Sequence, residues 1–169
     1  MNLSQQLIPL NKSLMSNEHN IKYFEHDFDN IAFSYKMDNV IFVSVNKDLT
    51  KKYRPEEVEG ILHHEIGHIE LGHSKKILII ETLIVLTTLS LMTLSPYLFI
   101  TYIPLYIFKM YVIRFHEYQA DKYSMSKSYG LYNLFRRIRI IEVDSILNTH
   151  PTIKQRLKYI EQIITKDKK

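Results

Sequence analysis

The stretch VEGILHHEIGHIELGH, Val58 to His73, holds four histidines and three glutamates in sixteen residues. Within it His64, Glu65 and His68 spell H-E-x-x-H. On an α-helix each residue advances about 100°, so His64 and His68 stand about 40° apart on one face, a turn from each other. Two imidazoles so spaced converge on one zinc ion, and the glutamate between them is placed to take a proton from water activated there. His63 points about 100° to one side, and His73 falls on the opposite face of a continuous helix, so neither joins the same ion. A solvated helix face can use the same letters. The motif therefore needs a third ligand.

RFHEYQADKYS, Arg114 to Ser124, supplies a candidate. Glu117 and Asp121 are four apart on a predicted helix and share a face. A carboxylate from Glu117 completes a two-histidine, one-glutamate site with an open fourth position for water. Asp121 is then an acceptor for the second ring nitrogen of a ligating histidine, orienting that ring. The plain alternative is an exposed face with mild like-charge repulsion. Four other residues are set aside. His116 faces away from the ligands and reads as a surface residue, His19 and His26 have no partners at metal spacing, and Glu70 reads as solvated.

The elements that must position these residues are legible in outline. Pro55 suits a first helical position, and Glu56 and Glu57 complement the positive helix end, so a helix should run from there to about Gly72. Further helices are expected over 110–128 and 131–147, separated by Gly130, with a last one after His150-Pro151. Residues 21–46 read as strands. In IAFSYKMDNVIFVSV, Ile31, Phe33 and Tyr35 alternate with smaller or polar residues, Met37-Asp38-Asn39 turns, and Val40 to Val45 is a β-branched run. Leu3, Leu7, Leu10 and Leu14 suggest an amphipathic helix within residues 1–20, interrupted by Pro9.

Bulk composition narrows the chemistry. At 169 residues the chain is one domain, or one domain with an insertion. It has no cysteine, which excludes disulfides and thiolate-ligated zinc. The net charge of +4 is mild and its lysines sit in TKDKK and SKK, without the arginine-rich, aromatic-interleaved face of a nucleic-acid binder. MNLSQQLIPLNKS has no basic start and no long apolar run, and is not read as a secretory signal.

Residues 77–113 stand apart, with only Glu81 and Lys109 charged. The stretch is long enough for two crossings of about 18 residues, with Ser95-Pro96 at the bend. Of residues 77–95, twelve of nineteen are Ile, Leu, Val or Met. Each favours insertion by about 0.3–0.6 kcal/mol against about 2.5–3.5 for a central acid, and Glu81 lies near the end, so insertion wins. Lys75 and Lys76 before the stretch, and Lys109 and Arg114 at its close, put both ends and the catalytic domain on the cytoplasmic side. The alternative is a soluble cytoplasmic protein whose hairpin buries its apolar surface in a homodimer.

Taken in order, NIAFSYKMDNVIFVSV, EEVEGILHHEIGHIELGH, an apolar segment, RFHEYQAD and THPTIKQR resemble the HtpX-like gluzincin metallopeptidases, the membrane-associated group that includes the CAAX prenyl endopeptidases. The likeness spans about residues 28–160. Soluble ImmA-type metallopeptidases share H-E-x-x-H and a later glutamate but usually lack a long apolar insertion. BlaR-type sensor peptidases have membrane segments but typically lack the THP element.

The resemblance implies an α+β fold: a mainly helical zincin-type catalytic domain with a small N-terminal antiparallel sheet and an inserted hydrophobic helical hairpin. The metallopeptidase domain would comprise 1–76 and 114–169, and the hairpin 77–113. One zinc ion per chain would be held by His64, His68 and Glu117, with Glu65 as catalytic base and Asp121 and Arg156 behind the ligands. Asn30, Ala32 and Phe33 match an edge strand that pairs with extended substrate, with Ile31 an extra residue in the pattern and Ser34 at its end. His150 and Arg156 match H-P-x-x-x-x-R. There His150 can donate to the oxyanion and Arg156 can anchor Asp121, or both can cap a helix. The expected activity is hydrolysis of peptide bonds in protein substrates at a membrane, without nucleic acid. The rival reading is a latent or non-catalytic zinc-binding membrane or dimerisation module.

Overall fold

The computed structural model describes residues 21–27, 32–138 and 150–166. The amphipathic helix expected within residues 1–20, with His19, lies outside the described residues, as do Asn30 and Ile31. Three strands open the fold: β1 (Ile21–His26), β2 (Ala32–Met37) and β3 (Val40–Asn46). The β2–β3 hairpin turns at Asp38, which adopts a left-handed φ of 53°, a conformation that a short polar side chain tolerates. β3 is the central strand, antiparallel to β2 and parallel to β1. The small N-terminal sheet is thus mixed rather than wholly antiparallel. β1 lies across β3 from β2 instead of beside it, so its direction matches that of β3.

Ile41, Val43 and Val45 point from one face of β3 into a core shared with Val58, Leu62 and Ile66. Those three lie at helical spacing on α2 (Pro55–Glu70), which follows a short α1 (Lys47–Lys52). The other side of α2 carries Ile61 into a second core with Leu131, Leu134, Phe135 and Ile160. α2 is therefore clamped between the sheet and the later helices, and His64, Glu65 and His68 ride on it. The clamp is close. A Cβ on Gly130 would collide with the Glu56 carbonyl oxygen, so only glycine admits that helix start against α2.

α2 ends at Leu71, and Gly72, at φ 66°, redirects the chain into α3 (His73–Leu94). After Ser95, a 3-10 turn over Pro96–Thr101 leads into α4 (Tyr102–Lys127), so the bend falls at Ser95-Pro96. The helix α3 and the stretch Pro96–Lys127 are each long and apolar enough to cross a membrane. Leu78, Leu83, Leu86, Leu89, Ile103 and Phe108 are among the exposed apolar side chains. Lys109 pairs with Glu81 across the hairpin. The two charges of the apolar stretch are thus partners.

α5 (Gly130–Arg137) is shorter than the helix expected over 131–147. Ile138 is extended, and 139–149 lie outside the described residues. α6 (Ile153–Lys166) begins with a reciprocal cap: Thr152 N–H donates to Gln155 Oε1 at 3.1 Å and Gln155 N–H to Thr152 Oγ1 at 3.3 Å. The letters T-x-x-Q carried that signal. The cap sets the phase that aims Arg156 inward.

Candidate metal centre

α2 and α4 cross face to face, tied by Ser124 Oγ–H donating to the Gly60 carbonyl at 2.8 Å. The crossing brings Glu117 of α4 against the two histidines of α2. His64 Nε2 lies 3.1 Å from His68 Nε2 and 3.5 Å from Glu117 Oε2, and His68 Nε2 lies 3.2 Å from Glu117 Oε1. Four-coordinate zinc with bonds of about 2.0–2.1 Å holds its donors about 3.3 Å apart. The two ring nitrogens and the Glu117 carboxylate, which turns one oxygen to each ring, lie near that spacing and are of the types zinc takes. The residues fit the ion.

Each neighbour of the cluster has a distinct place. His64 Nδ1 is 3.0 Å from Asp121 Oδ1, and Asp121 is fully buried. Arg156 holds Asp121 with two nitrogens and lies over the Phe135 ring at 4.7 Å. Its Nη2 is also 3.2 Å from His64 Nδ1. Both groups carry hydrogens there, so the bond that counts is Nδ1–H to Asp121. His150 Nδ1 is 3.2 Å from Glu117 Oε2 while its ring stays exposed. His63 lies 3.4 Å from Glu59, away from the cluster, and Glu70 is exposed.

The field at the cluster favours positive charge. Burial raises the Glu117 carboxyl, but hydrogen bonds from His150, His64 and His68 outweigh it and hold the group far below the usual carboxylate range. Burial likewise raises Asp121, and the Arg156 guanidinium with the His64 ring brings it below its ordinary value. Burial and Arg156 push His64 down, yet Asp121 and Glu117 overcome both and leave it raised. Two ionised carboxylates facing one imidazole make a cation site.

Ala32, Phe33 and Ser34 of β2 line the same cavity, of about 680 Å³, as His64, Glu65, His68 and Glu117. β2 is an edge strand, and Ser34 Oγ–H donates to the Glu65 carbonyl oxygen at 2.9 Å, with Glu65 Oε2 at 3.4 Å. Ile61, Leu131, Leu134, Phe135 and Ile153 give the other wall an apolar lining.

Two histidines set aside from the sequence stand elsewhere than expected. His116 is buried rather than on the surface, and its ring stacks on His73 with centroids 4.2 Å apart. His73 is not on the far side of α2, because the helix breaks at Gly72. Its Nδ1 comes 2.9 Å from His68 Nδ1. The glycine before it was the available signal. His26, without metal partners, is bonded to Ser44 at 2.5 Å inside the sheet.

A family model described as peptidase family M48 matches residues 4–164 of the chain. The crystal structure of Ste24p from S. mikatae resembles it with a TM-score of 0.64 at 19% identity, covering 83% of this chain and 46% of that one. That likeness is one of fold, and the chain spans under half the length of that protein. Among curated proteins none matches the chain.

Proposed function

The chain belongs to peptidase family M48, and from that premise we propose that it is a zinc-dependent endopeptidase acting on protein substrates at a membrane. The observation that carries the reading is the convergence of His64 Nε2, His68 Nε2 and the Glu117 carboxylate, with the two nitrogens 3.1 Å apart and each within 3.5 Å of one of the two carboxylate oxygens. In this reading those three residues hold one zinc ion per chain. Zinc there supplies a Lewis acid for a scissile carbonyl and makes a water more acidic.

The chain's own residues do the rest. Glu65, on the cavity wall beside the two histidines, takes a proton from the attacking water on its carboxylate and hands it to the leaving amine. The exposed ring of His150, next to Glu117, donates to the oxyanion as the carbonyl becomes tetrahedral. Asp121 accepts from His64 Nδ1 and keeps that ring's other nitrogen free, while Arg156 holds Asp121 in place. Substrate lies along β2 at Ala32, Phe33 and Ser34 by strand addition, with Asn30 and Ile31 preceding them. In the same reading 1–76 and 114–169 form the peptidase domain, and 77–113 is an inserted transmembrane hairpin that sets the domain on the cytoplasmic side. The exposed apolar helices and the neutralising Glu81–Lys109 pair support insertion.

The test is zinc content per chain for wild type, Glu65→Gln and Glu117→Ala, with casein proteolysis measured beside it. The reading expects one zinc in the first two, little in the third, and cleavage by wild type alone. Stoichiometric zinc without cleavage by any would shift the reading to a latent or structural protein. Cleavage by Glu65→Gln would end the mechanism.

A further inference from the structure

A chain of nitrogens runs behind His68, and it builds on the zinc reading above. His68 Nδ1 lies 2.9 Å from His73 Nδ1, and His73 Nε2 lies 3.2 Å from Gln119 Oε1. The His68 and His73 rings stand at 78° with centroids 4.9 Å apart, which aims nitrogen at nitrogen rather than stacking the rings. His116 lies flat on the far side of His73, 5° from parallel. Its Nδ1 has no hydrogen-bond partner among the described residues, and its ring packs flat against His73.

With Gln119 Oε1 facing His73, the protons on this chain take one order when both rings are neutral. The amide oxygen of Gln119 accepts and cannot donate, so His73 carries its hydrogen on Nε2. His73 Nδ1 is then a lone pair, and it can only accept from His68 Nδ1–H. With its hydrogen on Nδ1, His68 presents a lone pair at Nε2. That atom is the one 3.1 Å from His64 Nε2 and 3.2 Å from Glu117 Oε1. Each step fixes the next.

We propose that His73 and Gln119 are positioning residues that lock His68 in the tautomer required to bind the metal. His64 has its tautomer set by a carboxylate, Asp121, and His68 by a neutral imidazole. The difference keeps a further negative charge out of a site that already holds Glu65, Glu117 and Asp121. The lock depends on the break at Gly72. On an uninterrupted helix His73 would stand about 140° around from His68 and could not reach it.

Zinc affinity of the full chain in detergent micelles, measured against a chromophoric chelator, tests the lock without reference to activity. His73→Phe keeps the stacking on His116 but removes the acceptor. It should weaken zinc binding about 10–100-fold, with the melting temperature of the metal-free protein little changed. His73→Asn restores an acceptor and should regain part of that loss. Gln119→Leu should weaken zinc by a smaller factor. Long-range nitrogen–proton spectra of wild type should place hydrogens on His73 Nε2 and His68 Nδ1. Zinc bound by His73→Phe within twofold of wild type would overturn the proposal, as would a hydrogen on His73 Nδ1. Wild type that takes up no zinc would instead overturn the metal-site reading beneath it, so the two failures are separable.

Discussion

Arg156 Nε lies 2.9 Å from Asp121 Oδ2 and its Nη2 lies 2.5 Å from Oδ1, a fork-on-fork pairing that joins α6 to α4 directly behind His64. Asp121 has no solvent exposure. Arg156→Ala would leave a buried carboxylate without its cation, a change that costs about 3–5 kcal/mol in such sites. Arg156→Lys keeps the charge but offers a single point in place of the fork, and should recover only part of it. Chemical denaturation of both variants in detergent reads the two costs.

Glu57 anchors the start of α2. Its carboxylate accepts from the Arg54 backbone N–H at 2.8 Å and from Arg137 Nε at 2.7 Å. Burial raises this carboxyl, but Arg137 and the Arg54 N–H outweigh it and hold it below its ordinary value of 4.5. A carboxyl lowered in the fold contributes stability that is complete above its unfolded value and drains away as pH falls through the folded one. Wild type should therefore exceed Glu57→Gln in melting temperature at pH 7. The gap should narrow as the pH drops below about 4.5. A gap that stays constant across that range would show that the ionised carboxylate is not what stabilises the helix start.

Gly130 tests the clamp on α2. A methyl at this position meets backbone rather than a movable side chain, so α5 must back away from α2. Gly130→Ala should cost about 1–3 kcal/mol or more, the usual range for overpacking. The loss should show in the melting temperature of the metal-free protein as well as the zinc-loaded form, since the clash does not involve the ligands.

Lys109→Met should destabilise the hairpin in detergent or bilayer, because Glu81 then faces the apolar phase without its partner. Glu81→Gln combined with Lys109→Met should recover most of the loss. If the double variant is no better than the single one, the pair does not neutralise itself within the hairpin. Thermal unfolding in micelles of matched thickness separates the two outcomes.

What the sequence could reveal followed the reach of its periodicities. The helices bearing His64, His68 and Glu117 were legible because three-four spacing and a Pro55 start are local signals, and the β2–β3 hairpin announced itself through its turn. The position of β1 was not, since its pairing with β3 is set by which strand edge is open after the hairpin forms. The helix expected over 131–147 is interrupted at Ile138, where the backbone turns extended although the apolar pattern continues, and its remainder lies outside the described residues. His73 was misplaced for a sharper reason. A helical wheel assumes an unbroken helix, and one left-handed residue at Gly72 voids it. His116 followed His73 into the interior, as its stacking partner. The pairing of Arg156 with Asp121, thirty-five positions away, was legible only through the family resemblance, and its two-nitrogen fork needed the fold to appear.

α4 is one unbroken helix from Tyr102 to Lys127. Its apolar half includes Lys109, and Glu117 lies eight residues further on, about 12 Å along the same axis. A packed helix is stiff along its length, so a displacement of the apolar end arrives at the carboxylate almost undiminished. Glu117 thus sits on one arm of a helix whose other arm lies among the hairpin's exposed leucines and isoleucines. In the membrane reading proposed above, the bilayer would bear directly on the helix that carries Glu117.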